Sequence, residues 1–286
     1  MKPEFIEPVF EGAKSHARDR YLSALLCPGH ERDDLLALAA VVGEIERIPA
    51  LVSEPMLGEI RLQWWADWVQ NLEDNPGATT GNPIADALGD VIRERGLPIA
   101  PMRELCEARI SDLYADPFET TEAYAQYLSA CETGPYQLAA AICGQTQTDA
   151  SHAAKQAIAN AGRATGGMRV LMKLAFFAAR GRWPLPIENQ IDPLANAADN
   201  QSVRQTLIRD EMQHVRKAAC DATNAIKAAD AEERTPLRRA LRPIALIETY
   251  LTLLETQESW SLRPMKDLSP LSRVWILGKA RVLSQP

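Results

Sequence analysis

Residues 161–186 read AGRATGGMRVLMKLAFFAARGRWPLP. Ile158, Ala161, Thr165, Met168, Met172 and Ala175 step by three and four, which puts them on one face of a helix predicted over 152–179. The proline-bearing run PLPIENQIDP ends that helix, because proline supplies no backbone N–H to continue it. Arg163, Arg169, Lys173, Arg180 and Arg182 make the same stretch basic. Residues 169 and 173 lie about one helical turn apart and could present two cations to one anionic ligand. A solvated or salt-bridged face is the other reading of the same pattern.

Helical spacing extends outward over nearly the whole chain. Leu35, Leu38, Val42 and Ile45 form a stripe on a helix over 31–48, with Asp33 and Asp34 in its first turn and Pro49 limiting its end. Further helices are predicted over about 55–72, 83–95, 101–115, 119–144, 200–230, 235–258 and 268–281, with a kink at Gly134-Pro135. Alternating strand patterns are absent. The expected fold is therefore all-α, a single large bundle of about ten or more helices covering residues 1–286.

Composition agrees. The chain has 286 residues, 46% of them hydrophobic, enough to bury a sizeable core. A net charge of −7 argues against a nucleic-acid partner, which needs a basic face. No apolar run reaches membrane-spanning length, and the start, MKPEFIEPVFEGAK, does not read as a secretory signal, so a cytoplasmic location is expected. Cys27, Cys106, Cys131, Cys143 and Cys220 are dispersed without metal-ligand spacing, as are the four histidines. The segment 261–286 inverts the charge balance, with five cations against Asp267 and about −11 left for the rest. With Leu271, Val274, Trp275 and Leu277 beside those cations, it is either a peripheral anchor at the inner membrane face or a terminal helix docked on the bundle.

A second distinctive stretch is SEPMLGEIRLQWWAD, Ser53 to Asp67. Trp64 and Trp65 point about 100° apart on a helix, so one suits the core and the other a groove or interface. Glu59, Gln63 and Asp67 follow i, i+4 spacing and form a polar edge, with Arg61 on the same helix. Together, Glu59, Arg61, Trp64, Trp65 and Asp67 are candidate binding residues.

The glycine-rich start, amphipathic helix and RGR-W-P-L-P exit at 161–186 resemble the second half of a squalene/phytoene synthase domain. Residues 18–67 resemble its opening, in a branch marked by the S-E-P…W-W-x-D segment. Tyr127, Ala130 and Gly134 give a looser match in the middle, and the likeness covers roughly 18–260. It implies an isoprenoid-synthase-type bundle around a central cavity. In the family's enzymes, two aspartate-rich motifs hold Mg²⁺ against a prenyl diphosphate. At the matching positions this chain has Glu46, Arg47 and Ala50 in the first motif, and Lys173, Phe176 and Phe177 in the second. Mg²⁺ requires hard oxygen ligands, and of these residues only Glu46 offers one. Phe176 and Phe177 should also make the region drier and smaller.

The resemblance leaves three functions open. The first is a protein that has lost Mg²⁺-dependent prenyl transfer and acts by binding, with no cofactor. The branch includes an assembly factor for a membrane respiratory complex, which implies a membrane-complex protein as partner. The second is an active head-to-head prenyltransferase, which would need Mg²⁺ and additional carboxylates such as Glu44. The third is a carrier that holds an isoprenoid diphosphate or another lipid in the cavity. Glu46, Arg169, Lys173, Arg180 and Arg182 are the candidate cavity residues; no catalytic or metal-binding residue is assigned.

Overall fold

The computed structural model describes all residues except 76, 115–117, 146–149, 188–192, 195–197, 257–261, 263–266 and 283–286. Two long helices organise it. One is α3 (Gly29–Leu51), preceded by α1 (Pro3–His16) and α2 (Arg18–Leu25). The stripe read from the sequence understates its burial: Leu36, Ala37, Ala40, Val41, Val42 and Ile45 are all sequestered. A helix apolar on most of its circumference must be surrounded. Around α3 pack α1, α2, α4 (Pro55–Asp74), α5 (Pro83–Arg95), α6 (Ala100–Ile110) and α8 (Gly134–Ile142).

The second organiser is α9 (His152–Met172), continued after Lys173 by the short α10 (Leu174–Ala178). It packs along α11 (Ala198–Ala228) and against α7 (Thr121–Leu128), α8 and α13 (Ile247–Thr256). Glycines allow the closest approaches. A Cβ on Gly162 would lie 2.8 Å from the backbone nitrogen of Thr133, and one on Gly167 would lie 2.4 Å from Glu211 Oε1. Gly162→Ala is expected to cost about 1–3 kcal/mol, since a backbone contact cannot yield as a flexible side chain can. Urea unfolding measures it; an unchanged midpoint would refute the tight packing.

Two prolines shape what periodicity alone read as continuous, and a third does less than expected. The predicted 119–144 helix carries a π-helical turn, Ser129–Thr133, between α7 and α8, just before Pro135. The missing proline N–H and its clash with the preceding carbonyl favour this local unwinding. The predicted 235–258 helix is divided by a 3₁₀ turn, Arg242–Leu246, around Pro243, leaving α12 (Ala231–Ala240) and α13. Pro49 does not stop α3, which runs on to Leu51. The last described helix is α14 (Pro270–Val282). Among the described residues there is no strand, and no helix is long and apolar enough to cross a membrane.

Candidate functional site

A pocket of about 430 Å³ opens where α3 and α9 face each other, completed by the α1–α2 junction and the α13 end of the bundle. Glu46, Arg169 and Lys173 line it, and so do Arg20, Tyr136 and Arg273. Met168, Met172, Pro243 and Ile247 supply the apolar wall. The volume lies within the range of small-molecule sites.

The floor of the pocket is an ion-pair network. Glu46 meets Lys173 Nζ at 2.7 Å and Arg169 Nε at 3.2 Å. Arg169 also reaches Glu132, a fully buried residue of the π-helical turn, and Arg20 of α2 reaches the same carboxylate. Burial opposes the charge on Glu46, but the fields of Arg169, Lys173 and Arg109 outweigh it and hold the carboxyl well below the usual carboxylate range. Three cations thus face two carboxylates, so the floor keeps one positive charge in excess.

A second cluster lies behind the first. Asp112 accepts from Arg109 and from Arg182, each at 2.9 Å, and Tyr127 packs its hydroxyl 3.0 Å from both carboxylate oxygens. Arg182 is buried here, among the rings of Phe118 and Phe177. Gly181 permits this return of the chain, with φ at +70°. Arg180 is exposed and stacks on Phe176 at 3.8 Å. Of the candidate cavity residues, therefore, Arg180 and Arg182 do not line the pocket. The volume left beside Phe177, Arg109, Tyr127 and Cys131 is about 10 Å³, near the limit for one water. Phe177 fills this space, whereas Phe176 turns toward Arg180.

On a third network, at the α9–α11 contact, Arg163 grips Glu211 with two bonds of 2.7 Å, and Tyr124 donates to Glu211 Oε1 at 2.9 Å. Among the described residues, no three His, Cys, Asp or Glu side chains gather in a way that would hold a metal ion.

The candidates on α4 form a separate surface. Trp65 is buried and makes edge-to-face contacts with Trp64 at 4.9 Å and Trp68 at 5.5 Å. Trp64 is 41% exposed, and with Met56, Leu57 and Ile60 it forms an apolar stripe open to solvent. Gln63 donates to Asp67 at 2.7 Å on the outer edge, Glu59 accepts from the Tyr114 hydroxyl, and Arg61 is exposed. The pairing of one core tryptophan with one surface tryptophan matches their 100° offset.

Glu132, Arg20, Arg109 and Asp112 escaped the sequence reading. Arg20 and Glu132 are 112 positions apart, so no local spacing announces their contact.

A helical bundle with its pocket between two central helices, at the place of two matched motifs, defines a protein of the isoprenoid-synthase type. The chain belongs to the squalene/phytoene synthase family, whose sequence profile matches residues 13–273. The fold is that of solved members. A dehydrosqualene synthase superposes with a TM-score of 0.75 at 14% identity, covering 98% of each chain. A squalene synthase from Alicyclobacillus acidocaldarius gives 0.70 at 17% identity, covering 89% of this chain and 94% of that one. Curated relatives include complex I assembly factor 6 from Bos taurus, 27% identical over 169 residues, and from Homo sapiens, 25% identical over the same length. Each of those alignments covers 59% of this chain and 49% of the relative, so the chain matches about half the length of these proteins.

Proposed function

We propose that this protein acts by binding rather than by prenyl transfer, as an assembly factor for a membrane respiratory complex. The observation that carries the reading is the engagement of Glu46 and Glu132 by Arg169, Lys173 and Arg20. Mg²⁺ needs several unencumbered oxygen ligands, and the donor set in the pocket fits it poorly. In a metal-dependent ionisation, Mg²⁺ stabilises the departing diphosphate as a Lewis acid by several kcal/mol. Each ~1.4 kcal/mol forfeited is a tenfold loss in rate. Likeness to the complex I assembly factors supplies the partner class, and the open stripe on α4 is the protein-binding surface under this reading. The outward face of α14, where Leu271, Val274, Trp275 and Val282 are exposed, adds a peripheral membrane contact under this reading, as suits work on a membrane complex. Arg263 and Lys266, counted among the cations of 261–286, lie outside the described residues.

The test is diphosphate release from farnesyl or geranylgeranyl diphosphate with Mg²⁺. The expected result is no release above a protein-free control. Metal-dependent squalene- or phytoene-type product would overturn the reading and favour the active prenyltransferase.

A second reading, a non-catalytic isoprenoid or lipid carrier, is favoured by the pocket itself. Its apolar wall of Met168, Met172 and Ile247 sits above a floor with excess positive charge, a combination suited to an apolar tail with an anionic head. Metal-free binding of farnesyl diphosphate, weakened in Lys173→Gln, would support it; binding that requires Mg²⁺ would count against it.

A further inference from the structure

At the far end of α3 from the pocket, a cleft of about 300 Å³ gathers four arginines: Arg238 and Arg239 of α12, Arg242 of the 3₁₀ turn, and Arg281 of α14. Glu31, behind the lining, pairs with Arg239 at 2.6 Å. It stands 15 residues from Glu46 on the same helix, roughly 22 Å away at 1.5 Å per residue. Arg242, 5% exposed, donates to Ser23 O at 2.8 Å and to Cys27 Sγ at 3.3 Å. Arg238 has a buried Nε without an acceptor, and Arg281 makes no ion pair among the described residues. Only Arg242 is buried and Arg281 faces solvent, but four guanidiniums against the single carboxylate of Glu31 leave the cleft with an excess of positive charge that an anion would complement.

The cleft borders the exposed face of α14. Arg273, Leu277 and Ala280 point inward, and Arg273 ties the helix to the bundle through Asp19 at 2.7 Å and the Tyr250 hydroxyl at 2.8 Å. Leu271, Trp275 and Val282 point outward, 83%, 75% and 81% exposed. Helical geometry places Lys279 at one edge of this apolar stripe and Arg281, which lines the cleft, at the other.

We propose that the four-arginine cleft is a phosphate site that takes the headgroup of an anionic phospholipid while the outer face of α14 lies in the bilayer interface. Guanidinium forks match phosphate oxygens in pairs, and cations bordering an apolar helix face complement an anionic leaflet. The assignment rests on the membrane contact given above for α14, and it adds a discrete site to what diffuse charge would provide.

Flotation with phosphatidylcholine vesicles, with and without phosphatidylglycerol, tests it on the full chain, alongside calorimetry with inorganic phosphate. The parent should bind the doped vesicles and release at high salt. Lys279→Gln removes one cation outside the cleft and should weaken binding about fivefold, what a single surface cation contributes. Arg238→Gln should weaken it more than tenfold, and Arg238→Lys should recover little, because the charge returns without the fork. Arg281→Gln repeats the test from the other wall should Arg238→Gln fail to fold. Cleft variants no weaker than Lys279→Gln would overturn the phosphate site and leave the membrane contact standing. Loss of vesicle binding in Trp275→Ala supports that contact. A parent that ignores vesicles yet binds inorganic phosphate through Arg238 would overturn the lipid source and retain the site, and binding to neither would overturn both.

Discussion

Replacing Arg169 by methionine is expected to cost the protein about 3–5 kcal/mol of folding stability at neutral pH. Arg169 is the link between two carboxylates, Glu46 and Glu132, and Glu132 is fully buried. Removing the guanidinium leaves a charge in the interior with Arg20 as its remaining partner, and the cost comes chiefly from that uncompensated charge. Lys173→Met is the contrast. Its side chain is 36% exposed, so solvent screens the pair with Glu46 and the loss should stay near 1 kcal/mol or below. Chemical denaturation of the two variants measures the difference; equal and small losses would show that water reaches the network freely.

The acid limb carries the same signature. The carboxyl of Glu46 is held below its ordinary value of 4.5, so its contribution is fully present above that pH. It is lost as pH falls through the depressed folded-state value. In Arg169→Met the carboxyl moves back up, and the variant should lose less stability than the parent between about pH 5 and pH 3. The gap between the two proteins therefore narrows in acid. A gap that holds constant or widens would mean that Glu46 does not depend on Arg169 for its charge.

Trp65→Ala and Trp64→Ala, adjacent substitutions on one helix, should part company. Trp65 is buried against Trp68, and truncating it opens a cavity that costs about 3–5 kcal/mol. Trp64 stands 41% exposed at the end of the Met56–Ile60 stripe, where a surface truncation typically changes stability by ~0.5 kcal/mol. Aromatic anchors dominate binding hot spots, so under the assembly-factor reading Trp64→Ala should weaken partner binding by about 2 kcal/mol. Thermal melts separate the first effect, and pull-down against complex I subunits reads the second. A Trp64→Ala variant that captures the same subunits as well as the parent would move the docking surface away from α4.

Much of the architecture could be read along the chain because each helix carries its own periodicity. The helix over 83–95 runs Pro83–Arg95 in the structure, starting where Asn82 caps its N-terminus and ending at Gly96 in the left-handed conformation. That positions 173, 176 and 177 hold a lysine and two phenylalanines, none of them an oxygen ligand, was equally legible, since residue type is local information. Tertiary structure decided where those side chains went. Phe177 turned into the bundle and Phe176 out under Arg180, because neighbouring helical positions differ by 100° and only packing says which direction is inward. It also decided that Arg182 serves Asp112, 70 positions away, while Arg169 serves Glu46 and Glu132. Charge pairs between distant helices leave no spacing in the sequence. Their geometry depends on how α3, α9 and the π-helical turn come together, which is why the basic character of 161–186 was visible and its partners were not.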